Sequence, residues 1–229
     1  MSPSLVASPF AHSFAHPLAH PSVPALPPWG APRLLELLRR LVTELRIDVH
    51  LPEVELELEL QRLHGRLPGL NPAPQPLADL HLPRAGLRVT LREADGEQFV
   101  YVTDTVRDRL AAYITFNRLV EIHRRADRHL RAPHTKVSVP YRRQRIASTV
   151  YRWWLDGGRS AITGARQSPA ARALWLSLAR DYPLSYVRIE NKRLYPLGDR
   201  ISEADMDSLH VRAVLLGRGR SLSDFVEAA

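Results

Sequence analysis

HTKVSVPYRRQRIASTVYRWWL, residues His134–Leu155, changes periodicity partway along. His134 to Val139 alternates and is β-branched, the pattern of a strand. Pro140 ends that run because it brings no backbone donor. Ile146, Val150 and Trp154 then recur every four residues, the stripe of an amphipathic helix reaching Leu155, and Gly157–Gly158 stops it. Between the two elements stand Arg142, Arg143, Gln144 and Arg145. A helix start presents unbonded N–H groups and the positive end of a dipole, so a strand, a tight basic loop and a helix form a natural anion site. The arginines add charge-assisted, bidentate donors. The loop matches neither G-x-x-x-x-G-K-[ST] nor G-x-G-x-x-G. On the residues alone it reads equally as the solvated start of a surface helix.

Downstream, RSAITGA reads as a short buried strand. Ser168 caps a helix with Pro169 in its first turn, running to about Arg180. LSYVRIENKRLYPL gives two strand pieces around a turn at Asn191, and Ser202 to Leu216 a last helix capped by Ser202. Upstream, LRVTLREADGEQFVYVTDT predicts a hairpin turning at Ala94–Asp95–Gly96, and RLAAYITFNRLVEIH a further strand. VELELELQ (Val54–Gln61) alternates glutamate with apolar residues. It predicts a half-buried edge strand with Glu55, Glu57 and Glu59 on its wet face. A Pro-rich loop, Leu67–Pro76, follows it. PRLLELLRRLVTEL puts Leu34, Leu35, Leu38, Leu41, Val42 and Leu45 on one helix face. Residues 1–32 hold eight of the nineteen prolines and read as disordered. His12, His16 and His20 recur every four residues there, but Pro17 and Pro21 break the helix that would make them a metal face. The chain thus divides into a Pro/Ala/His-rich tail, 1–32, and one mixed α/β (α+β) domain, 33–229.

The 229 residues carry a net charge of +8 and no cysteine, which excludes disulfides, a thiol nucleophile and Cys-ligated metals. No metal-ligand spacing appears beyond the histidine echo, and no apolar run approaches a membrane span. A secretory signal pattern is missing at the N-terminus, so a cytoplasmic location is expected. A secreted-effector role for the tail stays open. Thr105–Ser160 holds thirteen Lys or Arg and four Asp or Glu, a local balance of +9, so phosphate-bearing partners are expected. HRRADRHLR (His123–Arg131) has the density of a nucleic-acid contact and also of a solvated surface segment. Trp153, Trp154 and Trp175 stand at helical spacing and read as core.

YRRQRIASTVYRWWL resembles the acyl-coenzyme A pyrophosphate loop of the GNAT superfamily of N-acetyltransferases, Q/R-x-x-G-x-G/A opening a helix after a central strand. Arg142 takes the Q/R position and Ala147 the final G/A position, while Arg145 replaces the middle glycine. ITGARQSPAARALW is similar to the second half of that fold. There the helix carries Trp175 where the family has a tyrosine acid. The resemblance spans about Leu87–Leu197 and is best over Val137–Leu178. It implies a GNAT-like sheet with antiparallel N-terminal strands and a splayed parallel pair in the C-terminal half. It also implies an acyl-CoA-dependent N-acyltransferase, most simply using acetyl-CoA without a metal. Val137, Ser138 and Val139 would offer a backbone edge to pantetheine. Arg142, Arg143, Gln144, Arg145, Ile146, Ala147 and Ser148 would cradle the pyrophosphate, and Ser168 would line the cofactor. Candidate bases are His134, Glu121 and Asp104; candidate acids are Tyr182, Tyr186 and Tyr141. The acceptor amine is not identified: a protein, a small molecule or a charged tRNA all fit. The alternative is a catalytically degenerate member of the fold that binds nucleic acid or another anionic partner through the basic segment.

Overall fold

A computed structural model describes residues 52–226 apart from 124–125, 127–128, 203–204 and 206–207. All of these lie in the unit Asp48–Ala229. The expected tail, the expected helix over 33–45 and Arg124, Arg125 and Arg128 lie outside the described residues.

The described residues form a mixed α/β structure built on one nine-stranded sheet. Its strands are β1 (Gln75–Pro76), β2 (Leu87–Ala94), β3 (Glu97–Asp104), β4 (Arg109–Asn117), β5 (Leu130–Val137), β6 (Ser160–Ile162), β7 (Leu184–Glu190), β8 (Arg193–Gly198) and β9 (Val211–Leu215). The spatial order is β1-β2-β3-β4-β5-β6-β9-β7-β8. Every pairing is antiparallel except β5 with β6. The hairpin expected over 87–103 is β2–β3. It turns at Asp95 and Gly96, whose φ of 55° and 77° suit a two-residue turn between twisted strands. β7 and β8 turn at Asn191 as expected.

Alternation along β3 and β4 divides the core between the two faces of the sheet. Val100, Val102, Ala112, Ile114 and Phe116 point to one face, under helices α2 (Ile146–Asp156) and α3 (Pro169–Leu178). Trp154 stacks on Phe116 with centroids 3.8 Å apart, and Trp175 is 5% exposed, so both are core as expected. A register shift between Val102 and Thr103 turns Leu110 to the opposite face. There Leu110 and Tyr101 meet Leu56 and Leu60 of helix α1 (Glu53–Arg66).

Two expected elements are corrected. Val54–Gln61 is helical, within α1, rather than a strand. Leu and Glu are both good helix formers, and Leu56, Leu60, Leu63 and Leu67 follow the 3.6 period that the alternation hid. Burying a leucine there contributes about 1.5–3 kcal/mol, and Leu60 is 1% exposed. The other members of the alternation, Val54 and Leu58, are exposed on the outer side of the helix. The expected helix over Ser202–Leu216 ends instead in the strand β9, which lies between β6 and β7. Ser202 does accept the Asp205 amide, a local cap that imitates a helix start. Val211, Val214 and Leu215, buried inside the sheet, decide the segment as strand. β5 begins at Leu130, before the expected His134. No helix among the described residues is long and apolar enough to cross a membrane.

Candidate functional site

β5 has a full neighbour on one side only. It pairs with β4 from Ala132 to Val137, but with β6 only through Leu130–Ser160 and Arg131–Ala161. Beyond Arg131 the parallel pair splays. His129 C=O accepts the Ser160 amide on the β6 side, whereas the Ser138 amide donates to Ala111 of β4. Backbone groups alternate sides along a strand, so those of Thr135 and Val137 face the opening. The open edge therefore lies earlier than the expected Val137–Val139. Ser138 is bonded to β4, and the Val139 amide donates to Glu57 Oε1 over 2.9 Å.

The strand runs into a short 3₁₀ turn, Val139–Tyr141, and then into the basic loop. Arg143 and Arg145 both adopt left-handed backbone conformations, each with φ of 60°. A non-glycine residue outside a hairpin turn carries there a steric cost that the surrounding structure must offset. Arg145 thus keeps, with a side chain, the kind of conformation that glycine takes at no steric cost. The helix-start residue has no side-chain cap. The first α2 amide to find a partner belongs to Thr149, which donates to Arg145 C=O. The amides of Arg143 to Ser148 meet no acceptor among the described residues. Two guanidiniums flank them, since Arg143 and Arg145 are exposed.

The rest of the loop is anchored. Arg142 is held by Glu53 at 2.6 Å. Gln144 donates to Pro140 C=O and accepts from Arg84 at 2.8 Å. Tyr141, 1% exposed, donates to Asp104 Oδ2 over 2.7 Å. Asp104 is almost fully covered by protein, and its hydrogen bonds from Tyr141 and then from the Arg107 amide hold its carboxyl well below the usual carboxylate range. That carboxylate serves the loop's architecture. The Ser148 hydroxyl turns back to Arg145 C=O, and Ser168 caps α3 by accepting the Ala171 amide at 3.2 Å.

The expected acid and base candidates fall into separate clusters. His134 points to the α1 face, beside Tyr113 with centroids 6.2 Å apart. It is open to solvent, yet dense surrounding protein, and next the Lys136 charge, hold its pKa below the ordinary value. Close by, Glu59 accepts from Tyr113 and Lys136. Glu121 is tied to Arg212, and Tyr182 donates to Asp156. Tyr186 lies in β7 and takes no part in these clusters. Arg131, 8% exposed, donates to Gly96 C=O and is removed from the nucleic-acid-contact candidates.

Sequence reasoning missed Tyr151. Its hydroxyl lies 3.0 Å from Thr135 Oγ1 on the open strand, and the Trp175 side chain also bonds to it. Burial pushes its pKa up to about 12. The signal was a phenol on the buried stripe of α2, where a polar tip must find partners. Glu57 and Glu59 were missed because α1 read as a strand, and Arg84 because the segment before β2, which brings it to Gln144, carries no periodic signal.

No family model and no curated protein matches this chain. Among solved structures it is similar to one described as "Crystal structure of a putative phosphinothricin N-acetyltransferase", at 13% identity over 56% of this chain and 72% of that one, with a TM-score of 0.33.

Proposed function

We propose that the chain is an acyl-CoA-dependent N-acyltransferase, acetyl-CoA being the simplest donor. One observation carries the reading: a strand whose backbone edge at Thr135 and Val137 has no neighbour among the described residues runs directly into a loop whose amides and two flanking guanidiniums find no partner among them either. An extended amide-bearing arm would add to the strand edge as a β-strand does. A diphosphate would take the loop amides and Arg143 and Arg145, as anions do at helix starts. The thioester supplies an activated acyl carbonyl. An acceptor amine attacks that carbon, the C–S bond breaks, the amine gives up a proton and the departing thiolate takes one. His134, whose surroundings disfavour the charged imidazolium, is our choice to receive the amine proton, directly or through water.

Calorimetry with acetyl-CoA and with CoA tests this. Binding in the micromolar to millimolar range is expected, and no heat at millimolar ligand would sink the reading. A second reading, a non-catalytic anion-binding member of the same fold, is favoured by Trp175, a buried indole where the resembled family carries its phenol. CoA binding without acyl transfer to any of a panel of amines would select it. So would salt-dependent retention of RNA or DNA without CoA affinity.

A further inference from the structure

Tyr151 rises from the buried stripe of α2 toward β5, beside Phe116 with ring centroids 6.0 Å apart. Two partners meet its oxygen: Thr135 Oγ1 at 3.0 Å and the Trp175 side chain. Between two hydroxyls either oxygen can donate, but the indole fixes the direction. Its Nε1–H only donates, so the Tyr151 oxygen accepts there and turns its own proton to Thr135. The Thr135 oxygen then receives a proton from Tyr151, and its own hydroxyl hydrogen points elsewhere. Among the described residues Thr135 Oγ1 makes no second hydrogen bond. Thr135 is half-buried and stands on β5 beyond the last residue paired with β6, on the α2 side of the sheet. His134 and Lys136 alternate to the other side. A one-way chain, Trp175 to Tyr151 to Thr135, thus delivers a hydroxyl donor to the opening between the splayed strands.

We infer, resting on the acyl-CoA reading of the site, that Thr135 donates a hydrogen bond to the thioester sulfur as the C–S bond breaks, with Tyr151 and Trp175 as the positioning residues that aim it. An arm that starts at the loop before α2 and pairs along β5 past Val137 brings its thioester end toward Thr135. Negative charge develops on sulfur in that step. A donor fixed in advance stabilises it without having to reorganise. The proton stays on oxygen, because an alcohol and a phenol pushed up to about 12 hold theirs more tightly than a thiol of ordinary value about 8.5. The thiolate takes its proton afterwards from solvent.

The test follows ionisation of the thiol of CoA bound to the full chain, by thiolate absorbance against pH, with the desulfo-CoA complex as the blank that removes the tyrosines. Thr135→Val keeps the β-branched shape and loses the hydroxyl, and should make the bound thiol about tenfold harder to ionise. Tyr151→Phe should shift it the same way by less, and Thr135→Ser, which keeps the hydroxyl, should retain the original behaviour. Calorimetric affinity for desulfo-CoA should be unchanged in all three, because the loop and the strand backbone make those contacts. If Tyr151→Phe does not fold, the two threonine variants decide. Equal thiol ionisation in the unaltered chain and in Thr135→Val, with CoA bound by both, overturns this inference alone. Tyr151→Phe indistinguishable from the unaltered chain overturns the aiming role of Tyr151 and Trp175. Absence of CoA binding by the unaltered chain overturns the acyl-CoA reading and this inference together.

Discussion

Two helices packed into one core begin in opposite ways. α3 starts with Ser168 accepting the Ala171 amide and Pro169 filling the first turn, which needs no donor. α2 starts after Arg145 in a left-handed conformation, uncapped, with the amides of Arg143 to Ser148 unbonded among the described residues. The contrast separates stability from readiness to bind. The start of α3 is capped by its own Ser168, whereas that of α2 is held in a costly shape by its surroundings and has no acceptor among the described residues.

The comparison breaks first on charge. Arg143→Glu with Arg145→Glu should reduce acetyl-CoA affinity about 100-fold or more. The unfolding midpoint should hardly change, because neither side chain has a partner among the described residues; calorimetry and urea titration together check both halves. Next comes the anchor under the loop. Asp104 has a folded pKa below its unfolded value of about 3.9, so the unfolded state binds the extra proton. Its stabilisation is complete above that unfolded value and is lost as pH falls toward the folded one. Asp104→Asn should therefore lower the urea midpoint at neutral pH and flatten its fall on acidification. An unchanged acid limb would show that other carboxylates govern it. At α3 the expectation reverses: Ser168→Ala should cost about 1 kcal/mol of stability and leave acetyl-CoA affinity intact. The smallest effect belongs to Arg145→Gly. Relief of the left-handed strain, about 1–2 kcal/mol, is about half offset by about 0.5–1 kcal/mol of chain entropy. A rise in the urea midpoint equivalent to about 0.5–1 kcal/mol should result, with some loss of acetyl-CoA affinity from the missing cation.

Legibility in the sequence followed the length of the signal. The hairpin at Asp95–Gly96, the helix from Ile146 and the Ser168–Pro169 start each combine a periodic run with a turn or cap residue, and each stands where the sequence puts it. VELELELQ failed because a run of that length fits periods of 2 and 3.6 together, and only packing of Leu56 and Leu60 on Tyr101 and Leu110 decides between them. That error hid half of the site, since Glu53 and Glu57 of the same helix hold Arg142 and Val139. The segment ending in β9 failed for the opposite reason: Ser202 gives a local helix signal, and the nearby strand depends on neighbours distant in sequence. The left-handed shape of Arg143 and Arg145 has no signal in residue type, because arginine rarely adopts it.

Asp104 joins two pieces of chain that are remote in sequence. Its Oδ1 accepts the amides of Val106 and Arg107, and so sets the turn between β3 and β4. Its Oδ2 accepts the Tyr141 hydroxyl and the Arg107 guanidinium. The turn and the loop therefore share one fastening. An insertion or deletion in that turn, at a surface where such changes are ordinarily tolerated, would pull on the loop before α2 without touching any residue in it. This turn is therefore not free to vary independently of the site.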